Sequence, residues 1–448
     1  MSDSPSHELQ PWLKRAAITW VNHAGAPLVK VVPRRHLHKA VDLGVGFSPV
    51  ADAFRVDGCI APSHRFARPD EDLRLHAVVE ALAPLEPDRG WAWAPGERRW
   101  RDGRAYEADQ RSFCRLQQDC LQQKGLTLQA GFELEWMVFA GDAGTQASPA
   151  FPGGPYGADR LVEGLDYASE ICEGLDSAGL DWLQFHPEYG ASQFELSLAH
   201  ASAVEAADRL VLARLVIQRV SRRLGLRCSF TPKLSSDQVG NGGHVHFSLR
   251  RHGQPVLQGG DGPGGVLPEG AALISGVLHH LPALLPIACP LSASYARLAP
   301  SSWSAPYQVW GIENREAALR LVPTSVDQVP AHLELKVADL GANPYLLLGS
   351  LQVLAMVALS EAVPLPEPVR GDPARVDGTT AAHARLPQSL AEGRTALASS
   401  AVLSAAMGEL LHGSVLDSID AEIARCEGLP PDQVIASTRW WPLVGGLS

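Results

Sequence analysis

Hydrophobic and polar positions repeat with different periods in the two parts of the chain. In the first part, short β-branched runs at residues 18–21 and 28–32 predict strands, and frequent Gly and Pro predict turns between them. The stretch 88–104 is rich in Arg, Trp and Gly and predicts a turn-rich edge or linker. Farther along, residues 126–140 predict a strand, and apolar residues at spacings of three and four predict helices. The predicted helices cover residues 111–124, 161–178, 201–224, 270–285, 344–362 and 389–411.

Strand and helix stretches do not alternate strictly, which favours an α+β fold over a doubly wound parallel sheet. We predict a β-rich domain over residues 1–108 and a larger mixed domain over residues 109–448. The two most apolar stretches, 271–290 and 345–363, are interrupted by polar residues or prolines. They therefore predict buried helices rather than membrane spans.

Four strand-like segments each carry polar side chains on one face and apolar side chains on the other, because successive residues of a strand alternate between faces. The polar faces consist of Glu133 and Glu135; Gln193, Glu195 and Ser197, preceded by Glu188; His244, His246 and Ser248; and His332, Glu334 and Lys336. Each face alone is typical of a half-exposed strand with water on its polar side. Five carboxylates on one sheet would repel one another unless cations neutralised them. Oxygen ligands with an occasional imidazole suit Mg²⁺ or Mn²⁺ better than zinc.

Composition narrows the range of functions. The 448 residues are 46% hydrophobic and 19% charged, which is a globular balance. A formal net charge of −11 argues against general binding to nucleic acid or to an anionic membrane. The N-terminus lacks the pattern of a secretory signal. Seven scattered cysteines without a CxxC pair predict reduced thiols in a cytoplasmic protein and exclude a zinc finger.

Three arginines follow one another closely at positions 297, 315 and 320. Arginine binds carboxylate and phosphate groups bidentately and stays charged, although each one alone is typical of a surface salt bridge. Metals combined with arginines are what phosphoryl transfer requires. No Walker A pattern occurs, so nucleotide binding would need a different geometry.

Six segments together resemble the glutamine synthetase family and follow its order. They read GFELE (131–135), HPEYGASQFE (186–195), GGHVHFSL (242–249), SYARLAP (294–300), ENREAALR (313–320) and LELKVADLGANPYL (333–346). The resemblance implies an N-terminal β-grasp domain and a catalytic domain whose curved antiparallel sheet is flanked by helices. It also implies a ring-shaped, dodecamer-like homo-oligomer with shared active sites. In such an enzyme, ATP phosphorylates the γ-carboxylate of glutamate, and ammonia or another amine then displaces the phosphate to form an amide.

The resemblance also implies a role for each matching residue. Two Mg²⁺ or Mn²⁺ ions would be held by Glu135, Glu188 and Glu195 and by Glu133, His244 and Glu334. The side chains along the ATP would be His246, Ser248, Arg320 and His332. The substrate-binding groups would be Gly240, Arg297, Trp303 and Lys336. The groups acting on the reacting atoms would be Arg297, Arg315 and Lys336.

The chain departs from the family where ammonium is handled. Ammonia-using members carry a Gly-Tyr-Glu-Ala-Pro flap whose glutamate takes a proton from ammonium, whereas residues 301–306 read SSWSAP. Trp303 and Ser304 stand where that carboxylate would be. An aromatic ring cannot accept a proton, but it can border a larger amine or stack on a cation. The aspartate that helps to bind ammonium has no clear counterpart in FSPVAD at residues 47–52.

Three further positions differ in the ligand-binding motifs. Lys336 replaces a glutamate-binding arginine, which keeps the charge but loses the planar fork. His332 replaces an arginine of the nucleotide site, and Val239 replaces an asparagine shortly before the metal-binding histidine. We therefore expect a γ-glutamyl–amine ligase and leave ammonia open as its acceptor.

Two other functions are compatible with the same residues. Six oxygen and nitrogen ligands could activate water in a two-metal hydrolase. Alternatively, the chain could be a catalytically silent oligomer with a regulatory or scaffold role, because the flap and Lys336 are altered. The retained ligand set argues against this last hypothesis.

Overall fold

The computed structural model describes residues 10–141, 148–325, 329–375 and 383–442. In chain order the strands are β1 (Arg15–Val21), β2 (Pro27–Pro33), β3 (Val45–Phe47), β4 (Leu73–Ala77), β5 (Ala83–Glu86), β6 (Trp91–Trp100), β7 (Leu126–Ala140), β8 (Ser148–Pro149), β9 (Trp182–Pro187), β10 (Gln193–Leu198), β11 (Ala201–Ser202), β12 (Leu226–Ser229), β13 (Val245–Arg251), β14 (Gln254–Pro255), β15 (Trp310–Ile312), β16 (Leu319–Val322) and β17 (His332–Leu335). The helices are α1 (Leu37–Asp42), α2 (Gln110–Gln123), α3 (Ala158–Glu163), α4 (Leu165–Ser177), α5 (Ala203–Arg223), α6 (Pro268–Ala288), α7 (Ser294–Arg297), α8 (Pro344–Ala358), α9 (Leu390–Ala398), α10 (Ala401–Cys426) and α11 (Pro431–Ser437).

Most predicted helices form, but two of them are divided. The helix predicted at 161–178 breaks at Gly164 into α3 and α4. The helix predicted at 389–411 is divided between α9 and α10. The second of these begins after Ser400, whose Oγ accepts a hydrogen bond from the backbone N–H of Leu403 at 3.3 Å. A glycine and a capping serine therefore end helices that the apolar spacing alone would continue.

The prediction of a turn-rich edge or linker at 88–104 is wrong, because β6 is a central strand of the six-stranded N-terminal sheet. The strand order is β2-β1-β6-β4-β3, with β5 also paired to β6. β6 runs parallel to β1 as far as Pro95 and antiparallel to β4 from Gly96 onward. Pro95 and Gly96 lie where β6 changes partner, and there a missing ladder hydrogen bond is tolerated.

The second sheet carries the polar faces predicted from the sequence. It has eleven strands along the order β15-β16-β17-β13-β7-β10-β9, with β8, β11, β12 and β14 paired off this path. Most neighbours are antiparallel as expected, but β15 and β16 are parallel, so the sheet is mixed. Its register sets Glu135 opposite Glu195 and His246 opposite Glu334. The α+β class predicted from the sequence is confirmed.

The opposite face of this sheet forms the core. Phe132, Leu134 and Trp136 of β7 are at most 3% exposed and belong to one continuous apolar cluster with helices α5, α6 and α8. Among the described residues, α6 is the one helix long and apolar enough to cross a membrane, and 72% of its most apolar window is buried inside the protein. A core helix of a globular protein meets the same criteria.

A buried charge network holds the N-terminal sheet to the start of α2. Arg98 Nη1 lies 2.7 Å from Asp52 Oδ1, and Arg98 Nε lies 2.8 Å from Asp109 Oδ2. The second oxygen of Asp109 accepts from the backbone N–H of Ser112 and caps α2. Asp52, the acidic residue of the 47–52 segment, is therefore occupied by Arg98. The domain boundary between residues 108 and 109 stays a prediction.

Candidate functional site

The sheet brings four predicted site residues into one group, which we call the Glu133 cluster: Glu133, His244, His246 and Glu334. His244 Nδ1 lies 3.2 Å from Glu133 Oε2 and 3.4 Å from Glu334 Oε1. His246 Nε2 lies 3.1 Å from Glu133 Oε1. The cluster forms because β7, β13 and β17 are adjacent strands that present the same face.

A second group lies on the same face, and we call it the Glu135 cluster: Glu135, His186, Glu188 and Glu195. Ligand atoms of His186, Glu188 and Glu195 lie within 4.8 Å of one another, and His186 Nε2 is 3.2 Å from Glu195 Oε1. Glu135 faces Glu195 across the β7–β10 pairing. His244 Nε2 lies 3.8 Å from Glu135 Oε1, so this imidazole stands between the two clusters.

The two clusters differ in how their negative charge is balanced. In the Glu133 cluster, burial opposes ionisation of Glu334, but Lys336 and the two histidines outweigh it and lower the pKa of Glu334 to about 2. Burial likewise opposes ionisation of Glu133, yet hydrogen bonds from His244 and His246 hold its pKa well below the usual value. These carboxylates are therefore ionised at neutral pH without a bound ion.

In the Glu135 cluster the balance is reversed. Burial, together with the charges of Glu195 and Glu188, raises the pKa of Glu135 to about 8. Burial also raises the pKa of Glu195. The hydrogen bond to Glu195 raises the pKa of His186 to about 9, so one imidazolium is the cation within a group of three acidic side chains. Negative charge that protein cations leave uncompensated is what a divalent ion would neutralise, so these residues fit such an ion.

Both clusters have the donor chemistry of Mg²⁺ or Mn²⁺ sites, with carboxylate oxygens predominating over imidazole nitrogen. The sequence assigned His244 to the same ion as Glu133 and Glu334. In the structure, the three ligand atoms that come within 4.8 Å of one another belong to Glu133, His246 and Glu334. His186 joins Glu188 and Glu195 in the same way. The division of ligands between two ions stays a prediction.

Cationic side chains border the Glu133 cluster on β16 and after β17. Lys336 Nζ lies 3.2 Å from Glu334 Oε1, and Arg320 Nη1 lies 3.2 Å from Glu334 Oε2. The ring of His332 lies 5.1 Å from that of His246. Ser248 lies two residues beyond His246 on the same face of β13. The four residues predicted to follow the ATP are thus next to one another.

Arg297 and Gly240 lie beside the Glu135 cluster. The backbone carbonyl of Gly240 accepts a hydrogen bond from Gln193 Nε2 at 3.0 Å, and the same amide donates to Glu135 Oε2 at 3.0 Å. Arg297 Nη2 donates to the carbonyls of Val337 and Ala338. A Cβ on Gly240 would come within 2.5 Å of Arg297 Cγ, so only glycine allows this close approach.

Trp303 and Arg315 belong to neither cluster and lie on the wall of a cavity of about 780 Å³. Trp303 is 63% exposed. Glu313 also lines the cavity, and its Oε2 lies 2.6 Å from Arg320 Nη2. Arg320 therefore contacts both a residue of the cavity wall and Glu334 of the Glu133 cluster. Trp303 borders an open space rather than a closed pocket.

Sequence reasoning assigned no role to three residues that the structure places at the site. His186 belongs to a matching motif and stands opposite Glu195 in the β9–β10 register. Gln193 lies on the predicted polar face and positions Glu135. Glu316 follows Arg315 directly and accepts a hydrogen bond from the backbone N–H of Trp303 at 2.7 Å. The register of β9 could have revealed His186, but nothing in the local pattern points to Glu316.

Comparisons with known proteins agree with this geometry. The family model "Glutamine synthetase, catalytic domain" matches residues 107–435. The chain is 42% identical over 430 residues to gamma-glutamylpolyamine synthetase GlnA3 of Streptomyces coelicolor. This alignment covers 94% of this chain and 92% of that protein. It is 29% identical to the glutamine synthetase of Pyrococcus horikoshii over 75% of this chain and 72% of that protein. A crystal structure described as a novel glutamine synthase homolog superposes with a TM-score of 0.83 at 28% identity, covering 96% of this chain and 98% of that one.

Proposed function

The chain belongs to the glutamine synthetase family, and on this premise we propose that it is an ATP-dependent ligase that joins the γ-carboxylate of glutamate to an amine. The observation that carries the proposal is the convergence of the Glu133 and Glu135 clusters on one face of a single sheet. The arginines and Lys336 beside them supply the positive charge that phosphoryl transfer needs. A silent scaffold would not need to keep such a charge arrangement, and a hydrolase would not need the cations.

Two divalent ions, Mg²⁺ or Mn²⁺, fit the carboxylates and imidazoles of the two clusters. Glu135, Glu188 and Glu195 would hold one ion, and Glu133, His244 and Glu334 would hold the other, with His186 and His246 at their borders. When bound, such ions neutralise phosphate oxygens and orient the nucleotide. The raised pKa of Glu135 supports this role, because a cation would stabilise its ionised form.

The remaining residues divide between the two ends of the site. ATP would lie along His246, Ser248, Arg320 and His332. Glutamate would lie against Gly240, Arg297 and Lys336, where its γ-carboxylate oxygen attacks the γ-phosphorus of ATP and ADP departs. Arg315 would contact the transferred phosphoryl group. The amine then attacks the γ-carbonyl carbon, and the phosphate departs as the amide forms.

We propose that the acceptor is an organic amine larger than ammonia, of the polyamine class. Trp303 replaces the flap carboxylate of ammonia-using members and borders a cavity of about 780 Å³. An indole face beside an open cavity suits a cation with an attached methylene chain. The Streptomyces coelicolor relative, whose name specifies polyamines, supports the same acceptor class.

A ring-shaped, dodecamer-like homo-oligomer with shared active sites remains our proposal for the assembly. The buried pairing of Asp52 with Arg98 means that this aspartate would not reach a neighbouring site. Size-exclusion chromatography with light scattering tests the assembly, and a monomeric active enzyme would contradict shared sites.

A phosphate-release assay tests the function. Purified protein receives glutamate, ATP and Mg²⁺ or Mn²⁺ with one amine at a time: ammonia, methylamine, ethanolamine, 1,4-diaminobutane, spermidine or aniline. We expect phosphate release to require all components, to be fastest with a di- or polyamine, and to match γ-glutamyl amide measured by mass spectrometry. Glu334→Gln should abolish turnover while the oligomer persists.

Three outcomes would contradict the proposal. Absence of phosphate release with every amine, combined with weak metal-dependent ATP binding by calorimetry, would indicate a silent oligomer. Hydrolysis of an amide or phosphoester without ATP would indicate the two-metal hydrolase. Fastest turnover with ammonia would keep the ligase and remove the polyamine acceptor.

A further inference from the structure

The carboxylate of Glu316 lies directly beneath the flap of residues 301–306. Its Oε1 accepts a hydrogen bond from the backbone N–H of Trp303 at 2.7 Å. Trp303 and Ala305 have φ values of 57° and 56°, an uncommon backbone conformation for residues other than glycine. The flap backbone therefore bends next to the Glu316 carboxylate, so a carboxylate from outside residues 301–306 contacts the flap that itself lacks a glutamate.

The second carboxylate oxygen of Glu316 has no partner. Oε2 is buried and makes no hydrogen bond within the described part of the chain. An unsatisfied buried acceptor is costly, most of all when the group is charged. A protonated amine is the kind of donor that would satisfy it, and the adjoining cavity, which Glu316 also lines, is large enough to admit one.

We propose that Glu316 is the proton acceptor for the amine substrate, acting in place of the flap glutamate of ammonia-using enzymes. This inference rests on the proposed function. The alkylammonium nitrogen gives one proton to Glu316 and becomes a neutral amine, and its lone pair forms the C–N bond to the γ-carbonyl carbon of γ-glutamyl phosphate. The C–O bond to phosphate breaks with its electron pair, and the departing phosphate takes the second amine proton. Glu316 then releases its proton to water.

The surroundings of Glu316 suit this role. Burial and the nearby charge of Asp372 raise the pKa of Glu316. The hydrogen bond from the Trp303 N–H and the charge of Lys336 lower it, and the net result is a raised pKa. Asp372 is itself held by Ser301 Oγ at 2.6 Å and lies 3.6 Å from Arg375 Nε. A carboxylate with a raised pKa takes a proton from an ammonium group more readily than an ordinary one. The cavity wall also carries Arg315, Arg370 and Arg375, so cationic as well as acidic side chains border it.

The test compares two acceptors that differ in protonation. Glu316→Gln keeps an oxygen that can accept the hydrogen bond from the Trp303 N–H, but it cannot take up a proton. One acceptor is the alkylamine that the wild-type protein uses fastest, which is protonated at pH 7.5. The other is hydroxylamine, which is largely unprotonated at that pH and needs no base before it attacks. Amide and hydroxamate formation are measured under the same conditions.

We expect Glu316→Gln to lose about 100-fold or more in the rate of amide formation and less than about fivefold in the rate of hydroxamate formation. Raising the pH should restore amide formation in the variant as the free amine increases. Glu316→Asp should recover part of the rate with the alkylamine. The matched control Glu269→Gln, which removes an exposed carboxylate paired with Arg251, should keep both rates.

Failure of this inference and failure of the proposed function give different results. Equal losses with both acceptors would mean that Glu316 only holds the flap, and unchanged rates would mean that it has no role. Either result overturns the inference while the wild-type protein remains a ligase. If the wild-type protein forms neither product and consumes no ATP, the proposed function itself is wrong.

Discussion

Glu135 offers the sharpest test of the charge arrangement, because its substitution should affect stability and metal binding in opposite directions. Glu135→Gln keeps the shape of the side chain, and its amide oxygen can still accept from Gln193 Nε2 and from the Gly242 N–H, which lie 3.0 and 2.9 Å from Oε2. The substitution removes the carboxylate that burial and neighbouring charges keep protonated. We expect the metal-free variant to be more stable than the wild-type protein.

The magnitude follows from the pKa of Glu135, which rises from 4.5 in the unfolded chain to about 8 in the folded protein. Between these values the folded state keeps a proton that the unfolded state releases, so stability falls as the pH rises from about 4.5 to about 8. Each pH unit corresponds to about 1.4 kcal/mol, which sets a ceiling of about 3 kcal/mol at pH 7. Relaxation of the site reduces this, and we expect a gain of about 1–2 kcal/mol.

Chemical denaturation with EDTA at pH 7 measures the gain, and a thermal scan with added Mn²⁺ measures the opposite effect. Mn²⁺ should stabilise the wild-type protein strongly and the variant little, since a ligand stabilises only the state that binds it. Glu205→Gln, which removes an exposed partner of Arg209, is the control and should change stability by less than about 0.5 kcal/mol. A metal-free variant less stable than wild type, or equal stabilisation of both by Mn²⁺, would refute the reasoning.

Three further predictions concern the metal, the core and the acceptor. The affinity for Mn²⁺ should rise about tenfold per pH unit up to about pH 8, because Glu135 gives up its proton over this range. Calorimetry in buffers of different ionisation enthalpy measures this, and an affinity independent of pH would contradict it. Arg98→Met leaves Asp52 and Asp109 buried without a cation and should lower the free energy of unfolding by about 3–5 kcal/mol in urea titrations; a loss below about 1 kcal/mol would disagree. Trp303→Ala should lower the preference for large amines over ammonia, and an unchanged acceptor profile would argue against Trp303 as an acceptor contact.

Alternation along strands predicted which side chains share a face, and this part needed no knowledge of the fold. β7 covers the predicted strand 126–140, and Glu133 and Glu135 emerge on one face of it. Alternation cannot say which strands are neighbours. The order β17-β13-β7-β10-β9 decides that His246 meets Glu334 and that Glu195 meets Glu135. The fold as a whole followed from six motifs in order, not from any single pattern.

Where the prediction failed, tertiary contacts outweighed a local signal. The Arg-, Trp- and Gly-rich stretch 88–104 suggested a turn-rich edge or linker, yet most of it forms β6, which pairs first with β1 and then with β4. β9 was not recognised because its apolar pattern is weak, with Leu183 67% exposed, and so His186 received no role. Glu316 follows Arg315 in the chain, but it contacts Trp303, which lies 13 residues earlier, and a local pattern cannot reveal such a contact.

Because their charges are balanced differently, the two clusters should respond differently to a change of pH. Lys336, His244 and His246 keep Glu334 ionised whether or not an ion is bound, so the Glu133 cluster is ready for a cation at any physiological pH. The Glu135 cluster instead holds a proton on Glu135 near neutrality, and an arriving cation must displace it. Acidification should therefore weaken metal binding at the Glu135 cluster first. The resemblance to glutamine synthetases implies that this ion lies beside the glutamate, so glutamate use should fall with decreasing pH before nucleotide binding does.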